Sequence, residues 1–206
     1  PEYRRVIVVM GSQMGKTAGL FNVIGHRLDE DPAPIIYVGP TRSNIDNVIE
    51  PKLMELFKQV PSLWNKLSKG KSLRKTHKQI AGVSFRLAWA GSPTELASDH
   101  AVLVLVDEVD RMTDNVKSEG HVFELAEART STYVDGKAIG TSTPTLGTVE
   151  TFVYPKTGIT HWAVSDLVES KIWRLWQEGS RHEWAWPCPQ CHQYFVPRFN
   201  QLTWPK

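Results

Sequence analysis

The sequence predicts an α/β fold in which a mostly parallel central sheet is flanked by helices. Three short apolar runs, at positions 6–9, 35–38 and 101–106, have the length and composition of buried strands. The first two runs are followed by segments 18–28 and 42–58, whose apolar residues recur at helical spacing. Strands that alternate with helices form βαβ units, and such units build parallel sheets.

The composition is typical of a soluble globular protein. The chain has 206 residues, of which 41% are hydrophobic and 22% charged, and its net charge is +2. This length suffices for one core with or without a small appendage, and the charge neither favours nor excludes a nucleic acid partner. No apolar run approaches the ~20 residues that span a bilayer, so we expect no membrane partner. The chain begins without methionine, and we expect it to be a fragment of a longer protein.

The first run leads into a turn that has the composition of a phosphate-binding loop. The next helix is expected to begin near Lys16, and the N–H groups at a helix N-terminus attract anions. Lys16 adds a charge for the β- and γ-phosphates of a nucleotide, and the hydroxyl of Thr17 can ligate Mg²⁺. The predicted nucleotide-binding segment consists of Gly11, Ser12, Gln13, Met14, Gly15, Lys16 and Thr17.

The match to the full phosphate-loop pattern is incomplete. That pattern has glycine at position 10, where this chain has Met10, so an ordinary strand–turn–helix corner is the alternative. Strand 6–9 itself is predicted to be buried and central, because its residues are apolar without alternation.

Further elements follow from the same periodicities. Residues 29–32 end the first helix, and Pro51 interrupts the second. The remaining predictions are a strand at 83–89, a helical turn at 94–96, helices at 119–129 and 166–178, and a strand through 138–140. The apolar residues of the last helix, together with Trp162, are interpreted as packing residues.

Residues 66–78 form the most basic stretch and lack apolar periodicity, which predicts a loop or a hairpin arm. Its cations are Lys66, Lys69, Lys71, Arg74, Lys75 and Lys78. They can contact a phosphate backbone or form an ordinary solvated surface, and the sequence favours neither interpretation.

Two carboxylates directly follow the most apolar of the predicted strands. Asp107 can hold Mg²⁺ directly or through water, and Glu108 can deprotonate the water that attacks a γ-phosphate. Ligands of open α/β sheets gather at the carboxyl ends of strands, so this tip should face residues 15–17. An acidic turn is the alternative, but it explains less well why the same chain also carries Gly15-Lys16-Thr17. We therefore predict nucleotide hydrolysis.

Hydroxyl groups gather at the end of another predicted strand, in Thr141-Ser142-Thr143-Pro144. Ser142 and Thr143 can bind the γ-phosphate, or sense its loss and pass that change to a neighbouring element. The alternative is a capped turn before the proline.

The only two cysteines, Cys188 and Cys191, form a C-x-x-C motif. Such a motif supplies two of the four ligands of a structural Zn²⁺ site, and we expect the other half of a zinc ribbon to lie beyond Lys206. His182 and His192 are further candidates, although His192 directly follows Cys191. A redox role is less favoured, because no thioredoxin-like βαβ pattern surrounds the motif.

Five motifs occur in a recognisable order. They are G-S-Q-M-G-K-T at 11–17, Y-V-G-P-T at 37–41, L-V-D-E-V-D-R-M at 105–112, T-S-T-P-T at 141–145 and P-C-P-x-C at 187–191. This series resembles the large terminase subunit of tailed bacteriophages, and its lambda-like branch in particular. The resemblance covers nearly the whole chain, and a phosphate loop without its first glycine is a trait of that family.

The resemblance implies a P-loop NTPase fold of the additional-strand class, with ATP and Mg²⁺ as cofactors. It implies an ATPase that drives double-stranded DNA into the procapsid as a homo-oligomeric ring on a portal. A small terminase subunit is the implied partner, and the host cell cytoplasm the implied location. We expect an ATPase core at 1–150 and an extension with the C-x-x-C knuckle at 151–206. The family's C-terminal nuclease domain is expected to be missing, because no suitable acidic cluster follows Pro144.

Roles for individual residues follow from the same resemblance. Lys16 and Thr17 correspond to the phosphate and Mg²⁺ residues. Asp107 and Glu108 correspond to the Walker B acid and the catalytic carboxylate.

The resemblance also bears on coupling and on the transition state. Ser142 and Thr143 fall in the motif that links hydrolysis to DNA movement. Some terminases have an arginine at the position of Ser12, so the transition-state arginine is unassigned here. Arg129 is our candidate, as a sensor or as a finger that reaches a neighbouring subunit.

Two alternatives come from different functional classes. A helicase-like DNA translocase would use the same fold, but the missing first glycine and the P-C-P-x-C motif oppose it. A non-enzymatic zinc-containing DNA-binding or assembly module would have kept an inactive nucleotide fold. The intact Lys16, Thr17, Asp107 and Glu108 oppose that alternative.

Overall fold

The computed structural model describes residues 3–68, 74–92, 99–112, 121–198 and 203. The strands are β1 (Arg5–Val9), β2 (Ile35–Gly39), β3 (His77–Ile80), β4 (Val83–Trp89), β5 (Leu103–Asp107), β6 (Lys137–Ser142), β7 (Thr151–Val153), β8 (Thr160–Trp162), β9 (Trp186–Pro187) and β10 (Tyr194–Phe195). The α-helices are α1 (Lys16–Glu30), α2 (Arg42–Asn44), α3 (Glu50–Gln59), α4 (Pro61–Lys66), α5 (Val122–Glu127) and α6 (Lys171–Gln177).

Six strands form one sheet in the order β1-β6-β5-β2-β4-β3. Every neighbouring pair is parallel except β3 and β4, which are antiparallel. The predicted mostly parallel sheet is therefore confirmed. Strand β6 lies between β1, which leads into the phosphate loop, and β5, which ends in the acid pair. This inserted strand is the arrangement that the additional-strand class implies.

The two faces of the sheet are covered by different helices. Along β2, Ile35 and Tyr37 belong to a core that includes α1 and α3, whereas Ile36 and Val38 belong to a core that includes α5 and α6. Successive side chains of a strand point to opposite faces, so one apolar run contributes to both cores. This two-sided burial explains why β2 and β5 contain continuous apolar residues rather than an alternating pattern.

The prediction that strand β1 is buried and central was wrong about its position in the sheet. Among the described residues β1 pairs only with β6, so it lies at the edge of the sheet. Arg5 is exposed and its neighbours in β1 are half-buried. Ile7 and Val9 pack against the core that contains α6. A β-branched run indicates a strand, but it does not encode the position of that strand within a sheet.

The helical segment predicted at 42–58 is continuous through Pro51. A π-helical turn at Ile45–Ile49 connects α2 to α3, and Pro51 lies in the first turn of α3. Proline has no N–H to donate and its ring crowds the preceding turn, so the first turn of a helix tolerates it best. The predicted interruption thus corresponds to a change in helix type rather than to a break.

Two cations of the basic stretch, the buried Lys78 and the half-buried Lys66, form ion pairs within the protein. Lys78 is 1% exposed and its Nζ donates to Glu50 Oε1 at 2.8 Å. Lys66 Nζ donates to Asp29 Oδ1 at 2.6 Å. These two lysines therefore serve the fold, which leaves the exposed Arg74 and Lys75 among the described cations of the stretch.

Some predictions fall on residues that the structure does not describe. Lys69, Lys71, the helical turn at 94–96 and residues 119–120 lie outside the described ranges. The helix predicted at 119–129 is described as α5 followed by a 3₁₀ turn at Ala128–Thr130.

The C-terminal part contains α6 and two short hairpins, β7–β8 and β9–β10. Helix α6 begins at Lys171 rather than at 166, because Ser170 caps it, and Leu167 is 90% exposed. The ring of Trp173 packs on Trp162 at 5.3 Å and on Trp176 at 4.8 Å between centroids. These tryptophans thus pack as predicted, while the domain boundary at residue 150 stays a prediction. In the described part of the chain, no helix combines the length and apolarity that a membrane crossing requires.

The buried Lys78–Glu50 pair generates a stability prediction. Lys78→Met leaves the carboxylate of Glu50 and two backbone carbonyls without their donor, so the free energy of unfolding should fall by about 3 kcal/mol. Urea unfolding measures this change. Lys52 is an exposed residue of α3, the helix that carries Glu50, and Lys52→Met should stay within about 0.5 kcal/mol of the wild type. Adding Glu50→Gln should recover part of the loss. Equal effects of Lys78→Met and Lys52→Met would contradict the proposed importance of the pair.

Candidate active site

Three strand ends and the start of α1 meet at one edge of the sheet. Val9 at the end of β1 pairs with Ser142 of β6, and Asp107 at the end of β5 pairs with Thr141. The amide of Met10 donates to the carbonyl of Ser142 at 3.2 Å, which continues the pairing into the loop. This is the carboxyl edge of the parallel strands, where ligands bind in open α/β sheets.

The loop between β1 and α1 turns through two left-handed residues. Gly15 has φ 85° and Gln13 has φ 58°, and residues 11–15 are exposed. Apart from Gly15, its chain neighbours and the backbone of its own helix, no atom of the described residues lies within 4 Å of the position that a Cβ on Gly15 would take, so the backbone conformation rather than space requires glycine there. The turn leads directly into the 15-residue helix α1, whose first N–H groups are available to an anion.

Lys16 lies between the loop, the acid pair and the T-S-T-P-T segment. Its Nζ donates to the carbonyl of Gly11 at 2.9 Å and to Thr143 Oγ1 at 2.7 Å. The same Nζ lies 3.9 Å from Glu108 Oε1, and the lysine is 8% exposed. One ammonium group thus joins three of the predicted motifs.

Asp107 accepts hydrogen bonds from three hydroxyl groups. Thr17 Oγ1 donates to its Oδ2 at 2.7 Å, the phenol of Tyr37 donates to Oδ2 at 2.8 Å, and Thr141 Oγ1 donates to Oδ1 at 2.7 Å. The carboxylate is 2% exposed, and a charge this buried needs such donors to be stable. The three donors come from α1, β2 and β6, so Asp107 fixes these elements relative to β5.

Tyr37 is a permanent donor in this cluster. Its side chain is fully buried, and this burial raises the pKa of the phenol well above its ordinary value. The charge of Asp107 and its hydrogen bond with the phenol raise the pKa of Tyr37 further. The hydroxyl therefore keeps its proton throughout the physiological pH range.

Glu108 has a strained backbone and an incompletely bonded carboxylate. It adopts φ 59° and ψ 48°, a left-handed conformation that costs a non-glycine residue of order 1 kcal/mol or more. Its Oε2 lies 3.5 Å from Arg111 Nε, and this buried oxygen has no hydrogen-bond partner among the described residues. Such strain and an unsatisfied buried acceptor are typical of functional positions.

The two hydroxyls of the T-S-T-P-T segment have different surroundings. Ser142 is fully buried, and its Oγ donates to the carbonyl of Thr143 at 3.2 Å and accepts from the amide of Asp110 at 3.1 Å. Thr143 instead contacts Lys16. Thr143 is therefore the member that adjoins the predicted phosphate position, and Ser142 faces the acid turn.

Arg129 is not brought to this edge. Its carbonyl accepts a hydrogen bond from Ala101 at the start of the chain segment that forms β5, whereas Asp107 is at the other end of that strand. The five residues of β5, Leu103–Asp107, separate the two ends by roughly 13 Å. The Nε of Arg129 donates to the carbonyl of Leu125 at 3.3 Å. The position of Arg129 does not support a sensor role in its own subunit.

Sequence reasoning missed three residues of this edge, namely Tyr37, Asp110 and Arg111, and it placed Thr141 in the hydroxyl cluster without predicting its bond to Asp107. Tyr37 sits in an apolar run and was counted as a core residue, although a buried tyrosine hydroxyl generally requires a partner. Asp110 and Arg111 follow the acid pair directly, and that adjacency was the available signal for both.

The two cysteines lie in the turn of the β9–β10 hairpin. The amide of Cys188 donates to the carbonyl of Gln193, and the amide of His192 donates to the carbonyl of Cys188, both at 2.9 Å. Backbone N–H groups of Cys191 and Gln190 lower the pKa of the Cys188 thiol. Both cysteines line a cavity of about 530 Å³. In the described ranges, however, no group of three or more His, Cys, Asp or Glu side chains could hold a metal ion.

The hydroxyl cluster around Asp107 generates a prediction for Tyr37. Tyr37→Phe removes a donor to a buried charge, and the free energy of unfolding should fall by about 2 kcal/mol in denaturant titrations. Tyr194→Phe is the matched control, because that tyrosine is 62% exposed, and it should be nearly neutral. If both changes are neutral, the Tyr37 hydrogen bond does not stabilise Asp107.

Comparisons with known proteins agree with this fold. The family model for the phage terminase large subunit gpA, ATPase domain, matches residues 1–206. The large terminase ATPase domain of Thermus phage P74-26 is 19% identical with a TM-score of 0.55, and the match covers 72% of this chain and 62% of that chain. The large terminase of bacteriophage HK97 is 13% identical with a TM-score of 0.55, and the match covers 68% of this chain and 29% of that chain.

The chain thus spans less than two thirds of either solved protein, and at these identities the likeness shows the fold alone. The comparison with curated proteins finds no match. The family model, in contrast, covers the chain from end to end. The chain belongs to the family of phage terminase large subunit gpA, ATPase domain.

Proposed function

We propose that this chain is the ATPase motor domain of a phage terminase, which hydrolyses ATP to move double-stranded DNA into a procapsid. One observation carries the proposal: Lys16 and Thr17 of the loop lie within bonding or ion-pair distance of the acid pair Asp107-Glu108. A lysine, a hydroxyl and two carboxylates in this arrangement are the parts that phosphoryl transfer requires.

The residues present fit a nucleotide with Mg²⁺. Amides of residues 11–17 at the start of α1 would hold the phosphates, and Lys16 would exchange its contacts to Gly11 and Thr143 for phosphate oxygens. The oxygen of Thr17 would hold the metal ion while its hydroxyl proton stays directed at Asp107. When bound, Mg²⁺ neutralises charge that develops on the β- and γ-phosphates.

Glu108 accepts the proton of the attacking water. Its Oε2, which has no hydrogen-bond partner among the described residues, and its position beside Lys16 suit a base directed at the γ-phosphate. Thr143 donates to the γ-phosphate or accepts from Lys16 according to the nucleotide state. Ser142 holds Thr143 in place through its hydrogen bond to the Thr143 carbonyl and does not contact the nucleotide itself.

The transition-state arginine comes from a neighbouring subunit in this proposal. Arg129 lies near the opposite end of β5, which favours a finger in trans, within a homo-oligomeric ring on the portal, over a sensor in its own subunit. Arg111 is exposed beside Glu108, and it holds that carboxylate until the ring assembles. An arginine supplied in trans is worth roughly 10³–10⁵ in rate, so the isolated chain should hydrolyse ATP slowly.

Three features of the proposal concern partners and location. Arg74 and Lys75, with Lys69 and Lys71 outside the described residues, contact the DNA backbone. A small terminase subunit joins the assembly, and the motor works in the cytoplasm of the host cell. These features follow from the family and from the exposure of the described cations.

We also propose that Cys188 and Cys191 bind Zn²⁺ together with two ligands from outside the described residues. The tight hairpin turn and the backbone N–H groups directed at the Cys188 sulfur support a thiolate pair. The cavity beside the turn has room for the segment that carries the remaining ligands.

The motor proposal predicts ATP hydrolysis that double-stranded DNA stimulates and that rises faster than linearly with protein concentration. Glu108→Gln should reduce turnover by more than about 100-fold while ATP still binds, and Lys16→Ala should weaken ATP binding itself. Phosphate release measures the rate, and fluorescence of a labelled nucleotide measures affinity. Stimulation by single-stranded DNA alone would favour the helicase-like translocase, and an absence of hydrolysis would favour the non-enzymatic module.

The zinc proposal predicts up to one zinc ion per chain in elemental analysis of the protein purified without chelator. Cys188→Ser with Cys191→Ser should abolish the zinc, whereas changing the neighbouring Gln190→Ala should retain it. Metal-free wild-type protein that keeps the same fold and the same thermal midpoint after zinc is added would contradict a metal role for the knuckle.

A further inference from the structure

Asp110 is a buried residue that bonds two other segments of the chain, one of them at two positions. It is 8% exposed and follows the acid pair on a 3₁₀ turn, Val109–Arg111. Its Oδ2 accepts from the amide of Thr145 at 2.9 Å and its Oδ1 accepts from the amide of Ile172 at 2.7 Å. Its own amide donates to Ser142 Oγ at 3.1 Å. No role in the reaction proposed above uses this residue.

The contacts of Asp110 with Ser142 and Thr145 connect it to the nucleotide site. Asp110 holds both ends of the T-S-T-P-T segment, at Ser142 and at Thr145. Between them lies Thr143, whose hydroxyl accepts from Lys16. When Lys16 binds a phosphate, its hydrogen bond to Thr143 weakens. This change alters the T-S-T-P-T segment, which is bonded to Asp110.

The contact of Asp110 with Ile172 connects it to the C-terminal extension. Ile172 is in the first turn of α6 and is fully buried in the core that covers one face of the sheet. A second bond, from Lys171 Nζ to the carbonyl of Met112, joins the same helix start to the acid turn. Trp173 of α6 packs on Trp162 of β8, so α6 connects the sheet to the hairpins of the extension.

We propose that Asp110 is a positioning residue that couples the nucleotide site to helix α6. It ties the T-S-T-P-T loop and the start of α6 to a single rigid turn beside Glu108. A change in the contacts of Lys16 on nucleotide binding therefore alters the stability of the α6 start, and through α6 the placement of the extension. The inference rests on the proposed function only in requiring that the loop bind a nucleotide.

The carboxylate is the chemical group that this role requires. Both of its oxygens accept from backbone N–H groups, and an amide has only one accepting oxygen. The Thr145 hydroxyl also donates to Oδ2, at 3.3 Å. In Asp110→Asn the NH₂ group must face the N–H of Thr145 or of Ile172, so one of the two backbone bonds breaks, and at Thr145 only the contact with the hydroxyl remains possible. The size of the side chain is unchanged, which makes this variant specific for the attachment.

Hydrogen exchange of the amides in residues 168–178 tests the proposal. The wild type is compared with and without ADP and Mg²⁺, and we expect a nucleotide-dependent difference in the exchange of α6. In Asp110→Asn that difference should be lost while the Kd for ADP stays within roughly threefold of the wild type. The exposed Asp166→Asn carries the same charge change and should keep the difference.

Ser142→Ala provides a second variant in case Asp110→Asn fails to fold, because it removes the bond to the Asp110 amide and leaves the carboxylate in place. Ser142→Ala should reduce the nucleotide-dependent difference in the hydrogen exchange of α6. Retention of the wild-type difference in a folded Asp110→Asn or Ser142→Ala protein would overturn the coupling role. A wild type that binds ADP without any change in α6 would also overturn it, whereas a wild type that binds no nucleotide would refute the proposed function instead.

Discussion

A buried carboxylate at the end of a fully buried strand holds this site together. Asp107 stands at the tip of β5, and three hydroxyl groups from three other elements donate to it. Without those donors a charge this deep would be strongly destabilising, so the elements that carry them must stay in place. The position of α1 relative to β5 is fixed in this way, because Thr17 belongs to the helix that the phosphate loop begins.

The rest of the edge depends on that arrangement. With α1 fixed, Lys16 is close enough to contact both the loop carbonyl and Thr143, and it stands beside Glu108. The strain at Glu108 persists because the apolar residues of β5 and the bonds of Asp110 hold the chain on either side of it. Nucleotide chemistry, the coupling segment and the extension are therefore connected through a few buried polar groups.

Local periodicity was sufficient to predict most elements and the position of the site. Helix α1 and strands β2, β4 and β5 lie close to where the pattern of apolar residues placed them, and parallel strands bring their carboxyl ends together by geometry alone. The phosphate loop and the acid pair could be recognised because their chemistry demands specific residue types at adjacent positions.

Contacts between distant segments could not be predicted in the same way. The burial of Lys78 depends on Glu50, which is 28 positions away, and the bond of Tyr37 to Asp107 spans 70 positions. The edge position of β1 depends on the strand order, which local composition does not encode. The position of Arg129, whose carbonyl contacts Ala101 before the end of β5 opposite Asp107, depends on how distant segments pack together.

A crystal structure of the chain with Mg²⁺ and a non-hydrolysable ATP analogue tests the central claim most directly. We expect the phosphates at the amides of residues 11–17 and Lys16 Nζ within about 3 Å of a phosphate oxygen, having left Thr143. The Thr17 oxygen should lie about 2.1 Å from the metal while the three hydroxyl donors remain on Asp107. An analogue bound elsewhere, or a bound analogue with those three hydrogen bonds broken, would contradict the account.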